Sequence, residues 1–271
     1  MQSLLDDLTQ NALVWRGDAL APASGSLSTG FAELDCLLPG SGWPRGAITE
    51  ILLEHQGIGE LKLIVPAVRD ITHAGGWVVF VAPPHLPYAP ALARLNINLN
   101  QIILLDVKAL KDQWWAAEPA LRAGSCSAVL FWPRTIDDRS LRRLQLAAEA
   151  GGTTGFVFAP VTRALQASPA PLRLKLAPAH DKLRINILKR RGSLLETPLL
   201  LDVDVIPHSL LLPVVPPISL PRRDHQRARQ HDTTAIPRIT KHYPNGADSK
   251  RLWDKVIARG DTVRRSTSED R

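Results

Sequence analysis

A glycine-containing loop at residues 54–59 has the outline of a phosphate-binding loop but lacks two of its essential side chains. The stretch EILLEHQGIGELKL, residues 50–63, runs from an apolar strand through Gly57 and Gly59 into a helix. In a working loop, backbone N–H groups hold phosphate oxygens, a lysine neutralises them and a Ser or Thr hydroxyl binds Mg²⁺. Here Glu60 stands at the lysine position and Leu61 at the hydroxyl position. We therefore expect no bound nucleotide and no ATPase activity.

The acid at position 60 works strongly against a triphosphate. Two unit charges about 4 Å apart interact by about 4 kcal/mol at an effective dielectric constant near 20. Lys62 does not substitute for the missing lysine, because two residues along a helix turn its side chain by about 200°. A carboxylate is favoured at a helix N-terminus. The sequence therefore predicts that Glu60 occupies the place that a phosphate would take.

Other combinations of catalytic or metal-binding residues are not supported by their spacing. His55, His73 and His85 lie near predicted strand ends, but no Ser or Cys nucleophile sits in an elbow motif beside them. The eight histidines show no paired spacing, and Cys36 and Cys126 match no metal motif. We predict no catalytic residue, no metal and no cofactor. Both cysteines are expected to be reduced and buried, in a cytoplasmic protein without a membrane span or a secretory signal.

The elements that must position the loop alternate between strands and helices. Apolar strands are predicted at five places, namely residues 47–53, 77–83, 101–107, 127–133 and 153–160. Helical patterns separate them, and the helix near 135–152 has Thr135 or Asp137 as its N-cap. Pro66 lies inside one helical pattern and is expected to kink that helix or destabilise it. Continuous apolar strands separated by helices predict an α/β fold with a mainly parallel central sheet flanked by helices.

The two ends of the chain have a different character. Residues 3–13 predict a short helix and residues 21–26 a linker, so residues 1–26 are assigned as an N-terminal helix and linker. A β-hairpin and a last strand are predicted between residue 172 and residue 205, which completes a domain at 27–206. Residues 207–271 are rich in proline and arginine, and we predict a flexible, largely disordered tail.

The tail is basic and contains one amphipathic segment. Residues 207–271 hold 13 Lys/Arg against 7 Asp/Glu, so most of the net charge of +7 lies there. A short helix is predicted near residues 248–259, with its apolar side chains on one face. The partner-binding candidates are the apolar residues Leu252, Trp253, Val256 and Ile257 and the basic residues Arg222, Arg223, Arg227 and Arg229. The helix either folds back on the domain or docks on a partner, and the basic tail permits weak contact with DNA.

Two further features have both a structural and a binding interpretation. Of the pair Trp114–Trp115, one residue is expected to pack in the core, and exposure of the other would indicate a protein contact. The basic run Lys189–Arg190–Arg191 is typical of a soluble hairpin end. It would alternatively form a basic face with Arg163, Arg173, Lys175 and Arg184.

Residues 27–51 resemble the segment that leads into the phosphate-loop strand of the RecA recombinase family. The matching positions are Ser28, Thr29, Gly30, Leu34, Asp35, Gly40, Gly42, Pro44, Arg45, Gly46, Glu50 and Ile51. A weaker resemblance continues to about residue 160. The stretches GWPRGAITEIL, GIGELKLIVPA, VVFVAPPHLPYAPAL and AVLFWPR are similar to the ImuA family, and the related SulA cell-division inhibitors share this degenerate core. The resemblance implies a RecA-like P-loop-type core.

Measured against active members of the RecA superfamily, two further strand ends lack an acid. AVLFWPR ends in Phe131, Trp132 and Pro133 where an acid would organise Mg²⁺. VVFVAPPH is followed by Pro83, Pro84 and His85 where a catalytic glutamate would stand. Together with Glu60, these departures argue against a surviving ATPase.

The resemblance to ImuA implies a non-catalytic accessory protein of SOS-induced mutagenic translesion DNA synthesis. Its implied partners are RecA, a Y-family-like adaptor of the ImuB type and an error-prone replicative-type DNA polymerase. Two alternatives remain open at this point. One is a SulA-like inhibitor of cell division that binds a tubulin-like polymerising GTPase, and the other is a RecA-like DNA-binding ATPase.

Overall fold

The computed structural model of the protein describes residues 25–204, apart from positions 194 and 196. The predicted N-terminal helix at 3–13 and the whole of the predicted tail lie outside the described residues. The domain bounds at 26/27 and 206/207 therefore stay predictions.

An eight-stranded, mostly parallel sheet forms the centre of the described structure. In chain order its strands are β3 (Ile48–Leu53), β4 (Val78–Val81), β5 (Ile102–Leu105), β6 (Ala128–Phe131), β7 (Thr154–Pro160), β8 (Leu172–Ala179), β9 (Lys182–Lys189) and β10 (Leu199–Leu201). Their order across the sheet is β10-β9-β8-β3-β7-β6-β4-β5. A separate two-stranded antiparallel sheet pairs β1 (Ser26–Leu27) with β2 (Trp43–Pro44).

The five predicted apolar strands are β3 to β7, and all their pairings are parallel. β8 joins the other edge of β3 in parallel, whereas β9 and β10 are antiparallel additions. The predicted α/β architecture with a mainly parallel sheet is therefore confirmed, and β8 and β9 form the predicted hairpin.

Helices cover both faces of the sheet. The helices are α1 (Ala32–Asp35), α2 (Glu60–His73), α3 (Ala89–Arg94), α4 (Leu110–Arg122) and α5 (Asp138–Gly151), with short 3₁₀ turns at Leu99–Gln101 and Val161–Leu165. On one face α2 buries an apolar stripe in a cluster that includes Ile51, Phe80 and Leu174. On the other face α4 and α5 pack together beside β3, β4 and β6. Among the described helices none is long and apolar enough to cross a bilayer.

The start of α5 follows its sequence signal. The Oδ1 atom of Asp137 accepts a hydrogen bond from the Ser140 N–H at 2.8 Å, so Asp137 rather than Thr135 is the N-cap. Gly152 ends the helix in the left-handed conformation, at φ 63°.

The segment STGFAELD forms a turn closed by its own acid. The carboxylate of Asp35 accepts hydrogen bonds from the Ser28 hydroxyl at 2.8 Å and from the Thr29 N–H at 2.9 Å. Gly30 has φ 82°, and a Cβ atom there would overlap the ring of Pro66. The turn is thus pressed against α2, which continues through Pro66 as one helix.

The two cysteines differ in environment. Cys126 is buried, and burial raises the pKa of its thiol to about 11. Cys36 is exposed, so the expectation that both cysteines are buried was wrong for this residue. It follows α1 directly, on the solvent side of that short helix.

Candidate functional site

The loop between β3 and α2 contains two glycines in the left-handed region of backbone conformation. Gly57 has φ 83° and Gly59 has φ 109°, a region that glycine enters without steric cost. Gly59 is the N-cap of α2, and no side chain satisfies that cap. The free N–H groups at this end carry the positive partial charge of the helix dipole.

Glu60 fills the loop from within. Its carboxylate accepts hydrogen bonds from the Gly57 N–H at 2.9 Å through Oε1 and at 3.1 Å through Oε2. Only 6% of the residue is exposed. The first residue of α2 therefore folds back over the loop, and its negative charge lies where an external anion would bind.

The two neighbouring residues do not restore a nucleotide site. Leu61 is 37% exposed and offers no hydroxyl. Lys62 forms an ion pair with Asp204, which follows β10, so its ammonium is engaged away from the loop. That orientation agrees with the turn of about 200° that separates alternate residues of a helix.

An aromatic stack lies at the carboxyl end of β6. Trp132 lies parallel to Phe158 of β7, with ring centroids 4.4 Å apart and an interplanar angle of 6°. The ring centroid of Phe80, in β4, lies 5.9 Å from that of the same indole. The indole is part of the hydrophobic cluster on the α2 side. This stack extends the core into the sheet edge that holds metal and phosphate in nucleotide-binding proteins.

A cleft of about 500 Å³ remains at this carboxyl edge of the sheet. Trp132 and Phe158 contribute to its wall, and Glu54, His55 and Arg134 bring charged or titratable groups to it. A further ion pair at the edge joins Lys108 and Asp106 at 2.8 Å. The mixture of signs gives the cleft no net preference for an anion.

A buried ionic cluster is the main polar feature that sequence reasoning missed. Glu50, in the middle of β3, is 0% exposed. Its Oε1 accepts a hydrogen bond from Nε of Arg163 at 3.1 Å, and its Oε2 accepts one from Nε of Arg173 at 2.7 Å. An acid inside the apolar run ITEILL was the available signal, because a buried charge requires a partner.

The terminal nitrogens of the two guanidinium groups also donate hydrogen bonds. Arg163 donates to the Ile136 carbonyl, the Gln166 side chain and the Asp138 carboxylate, at 3.1, 2.9 and 3.0 Å. Arg173 donates to the Gln166 and Arg163 carbonyls at 2.9 and 2.8 Å. The proposed basic face was therefore wrong for these two arginines, which are buried and paired.

Of the other candidates, Trp114 and His73 make structural contacts, whereas Trp115 is exposed. The rings of Trp114 and Phe131 pack edge to face, with centroids 5.1 Å apart. Trp115 is 44% exposed, so one tryptophan of the pair packs and the other is available for a protein contact. Nε2 of His73 lies 2.7 Å from the Asn96 carbonyl oxygen. Within residues 25–204, no group of three His, Cys, Asp or Glu side chains is placed to hold a metal ion. The tail candidates, from Arg222 to Ile257, lie outside the described residues.

Comparison with known proteins places the similarity in one group. The chain is 29% identical over 120 residues to the cell division inhibitor SulA of Photorhabdus laumondii, covering 44% of this chain and 68% of that protein. It is 27% identical over 109 residues to the SulA of Edwardsiella piscicida, covering 40% of this chain and 65% of that protein. The similarity thus spans about two thirds of these relatives and less than half of this chain.

A crystal structure of SulA from Pseudomonas aeruginosa matches 41% of this chain and 97% of that one, at 23% identity and a TM-score of 0.36. No protein-family model matches the chain.

Proposed function

We propose that this protein is a non-catalytic regulator of the bacterial SOS response that acts by binding other proteins. The observation that carries the proposal is the Glu60 carboxylate, which is hydrogen-bonded to the Gly57 N–H inside a loop of nucleotide-binding form. A chain that fills its own phosphate site retains the architecture without the reaction. The SulA relatives support a role in protein interaction, since their name is that of an inhibitor.

In this proposal the core is a degenerate RecA-like domain at 27–206. Support comes from the order strand, glycine loop, helix at 48–73 and from the parallel pairings of β3 to β7. Residues 1–26 and 207–271 are separate N-terminal and C-terminal segments. The protein acts in the cytoplasm.

The first candidate function is inhibition of cell division, and the comparisons favour it. The chain shares 29% identity with a SulA protein over 120 residues. By this similarity it would bind a tubulin-like polymerising GTPase and block its assembly. No catalytic group is needed for such an effect, because a bound subunit is enough to interrupt a polymer.

The second candidate is an ImuA-type accessory role in translesion DNA synthesis. It is supported by the matching positions between Ser28 and Ile51 and by the share of the chain that lies beyond the SulA similarity. Its partners would be RecA, the ImuB-type adaptor and the error-prone polymerase. The docking segment would be the tail, with Trp253 as the anchor beside Leu252, Val256 and Ile257 and with Arg222, Arg223, Arg227 and Arg229 as its basic part.

Controlled expression of the full chain in a rod-shaped bacterium separates the two candidates. A division inhibitor produces filamentous cells without DNA damage, and purified protein lowers polymer assembly by the tubulin-like GTPase. An ImuA-type protein leaves cell length unchanged, raises damage-induced mutation frequency and captures RecA and the polymerase from damaged cells. Trp253→Ala is the matched variant, and we expect it to weaken capture only in the second case.

Either result supports a protein-binding role, and two results contradict it. One is a chain that changes neither cell length nor mutation frequency and captures none of the named partners. The other is ATP hydrolysis by the purified protein at a rate that Glu60→Ala alters.

A further inference from the structure

The hairpin β8–β9 is the most basic part of the described structure. Residues 172–191 contain seven Lys/Arg and a single acid, Asp181. The core helices carry both signs, with pairs such as Arg122 and Glu118 at 2.7 Å. The positive charge of this short stretch is therefore local, and its placement on the sheet decides what it can bind.

The strand register places the free cations on one face. Ala177 lies opposite Arg184, Lys175 opposite Asn186 and Ala179 opposite Lys182. Opposed residues of an antiparallel pair share a face, so Lys175, Lys182 and Arg184 point the same way. The alternate residues, such as Leu174 and Ile185, form the buried face of the hairpin.

Two other cations near this face are already engaged. Arg173 is paired with the buried Glu50 at 2.7 Å. Lys189 donates to the Ser168 carbonyl at 2.7 Å, and burial together with the charge of Arg173 lowers its pKa. Lys175, Lys182 and Arg184 have no ion-pair or hydrogen-bond partner among the described side chains.

This face of the hairpin is open. It lies on the side of the sheet where α5 stands over β3. Lys182 and Arg184 are exposed, and Lys175 is half-buried between them and the sheet centre. The acids that neighbour the hairpin in the chain are Asp181 in its turn and Glu196 and Asp202 on either side of β10.

The spacing of the cations suits a chain of phosphates. Alternate residues along one strand are about 6.8 Å apart, which separates Lys182 from Arg184. Consecutive phosphates of an extended strand of nucleic acid are spaced at a similar interval, whereas acids on a globular protein follow no fixed repeat. Lys and Arg contacts to phosphates release counterions and bind without reading sequence.

We propose that the open face formed by Lys175, Lys182 and Arg184 binds the phosphate backbone of a nucleic acid. Nucleic acid is favoured over an acidic protein because the only large apolar side chain that is well exposed among the described residues of the face is Leu200, and none of them is aromatic. The missing aromatic side chains also mean that bases do not stack here. Binding is therefore insensitive to sequence.

The test compares two triple variants of the full chain. The first is Lys175→Gln, Lys182→Gln, Arg184→Gln. The matched control is Lys111→Gln, Arg139→Gln, Arg142→Gln, which removes three exposed cations from α4 and α5. Binding of labelled DNA of random sequence, single-stranded and duplex, is measured by fluorescence anisotropy between about 50 and 200 mM salt. Circular dichroism confirms that both variants are folded.

We expect the hairpin variant to bind duplex DNA at least tenfold more weakly than the control at low salt. Each phosphate contact contributes about 0.9 to the slope of log K against log salt, so the slope should fall by roughly 2–3. Equal affinities and slopes for the two variants would overturn the proposal. So would a hairpin variant that loses binding to a poly-glutamate peptide while keeping its affinity for DNA, since this would assign the face to an acidic protein.

Discussion

Glu50 shows how strongly one residue is constrained by what surrounds it. Its carboxylate is fully buried and accepts from two guanidinium groups that are themselves 6% and 7% exposed at the side chain. Removing one partner from a buried ion pair leaves uncompensated charge and costs about 3–5 kcal/mol. Here the loss of the acid leaves two arginines facing each other across β3.

We therefore predict that Glu50→Gln lowers the free energy of unfolding by about 3–5 kcal/mol. Asp138→Asn is the control, because Asp138 bonds the same Arg163 but its side chain is 62% exposed. Its loss should cost less than about 1 kcal/mol. Urea denaturation of the two variants measures the difference, and equal midpoints would mean that the Glu50 contacts contribute no more than a surface pair.

Gly30 and Pro66 couple two elements, the turn at 28–35 and the helix α2. A Cβ atom at position 30 would overlap the Pro66 ring, and the backbone there has φ 82°. Gly75, after α2, has φ 79°, and a Cβ atom there would meet nothing within 4 Å, so it carries the same backbone requirement without the packing. A comparison of the two separates backbone strain from the contact between elements.

Gly75→Ala is expected to destabilise the protein by about 1–2 kcal/mol through the left-handed backbone alone. Gly30→Ala should cost about 1–3 kcal/mol more, because overpacking is added to the strain. Thermal denaturation gives both values. If the two substitutions destabilise the protein equally, the turn moves freely relative to α2. The motif STG then has no packing role.

Across the whole molecule, the features that the sequence predicted are the ones with local signals. Apolar runs bounded by turns located β3 to β7, and the glycines with Glu60 located the filled loop. The Glu50 cluster was missed because its partners are 113 and 123 residues away in the chain. Alternation predicted the hairpin, but only the contact with Glu50 determines that Arg173 is buried while Lys175 is free. The burial of Cys36 was predicted wrongly because cysteine composition does not indicate whether a residue next to a one-turn helix faces the solvent.

Nucleotide binding would likewise depend on two parts of the domain that are far apart in the sequence, the glycine loop and the end of β6. Glu60 closes the loop at Gly57, and Trp132 is stacked on Phe158 at the adjoining strand end. Two separate elements are thus unsuited to a triphosphate with magnesium, the loop because it holds a carboxylate and the strand end because it holds a buried indole. We predict that ATP with magnesium does not bind, as measured by isothermal titration calorimetry on the full chain.

A variant that repairs only the loop shows whether the second element matters. Glu60→Lys with Leu61→Thr supplies the cation and the hydroxyl but leaves Trp132 in place. We expect this variant to bind inorganic phosphate weakly and to show no magnesium-dependent gain in affinity for ATP, because β6 does not end in an acid. Tight, magnesium-dependent binding by the repaired variant would make the loop the sole barrier. ATP binding by the unaltered chain would contradict the proposal that the domain acts without nucleotide.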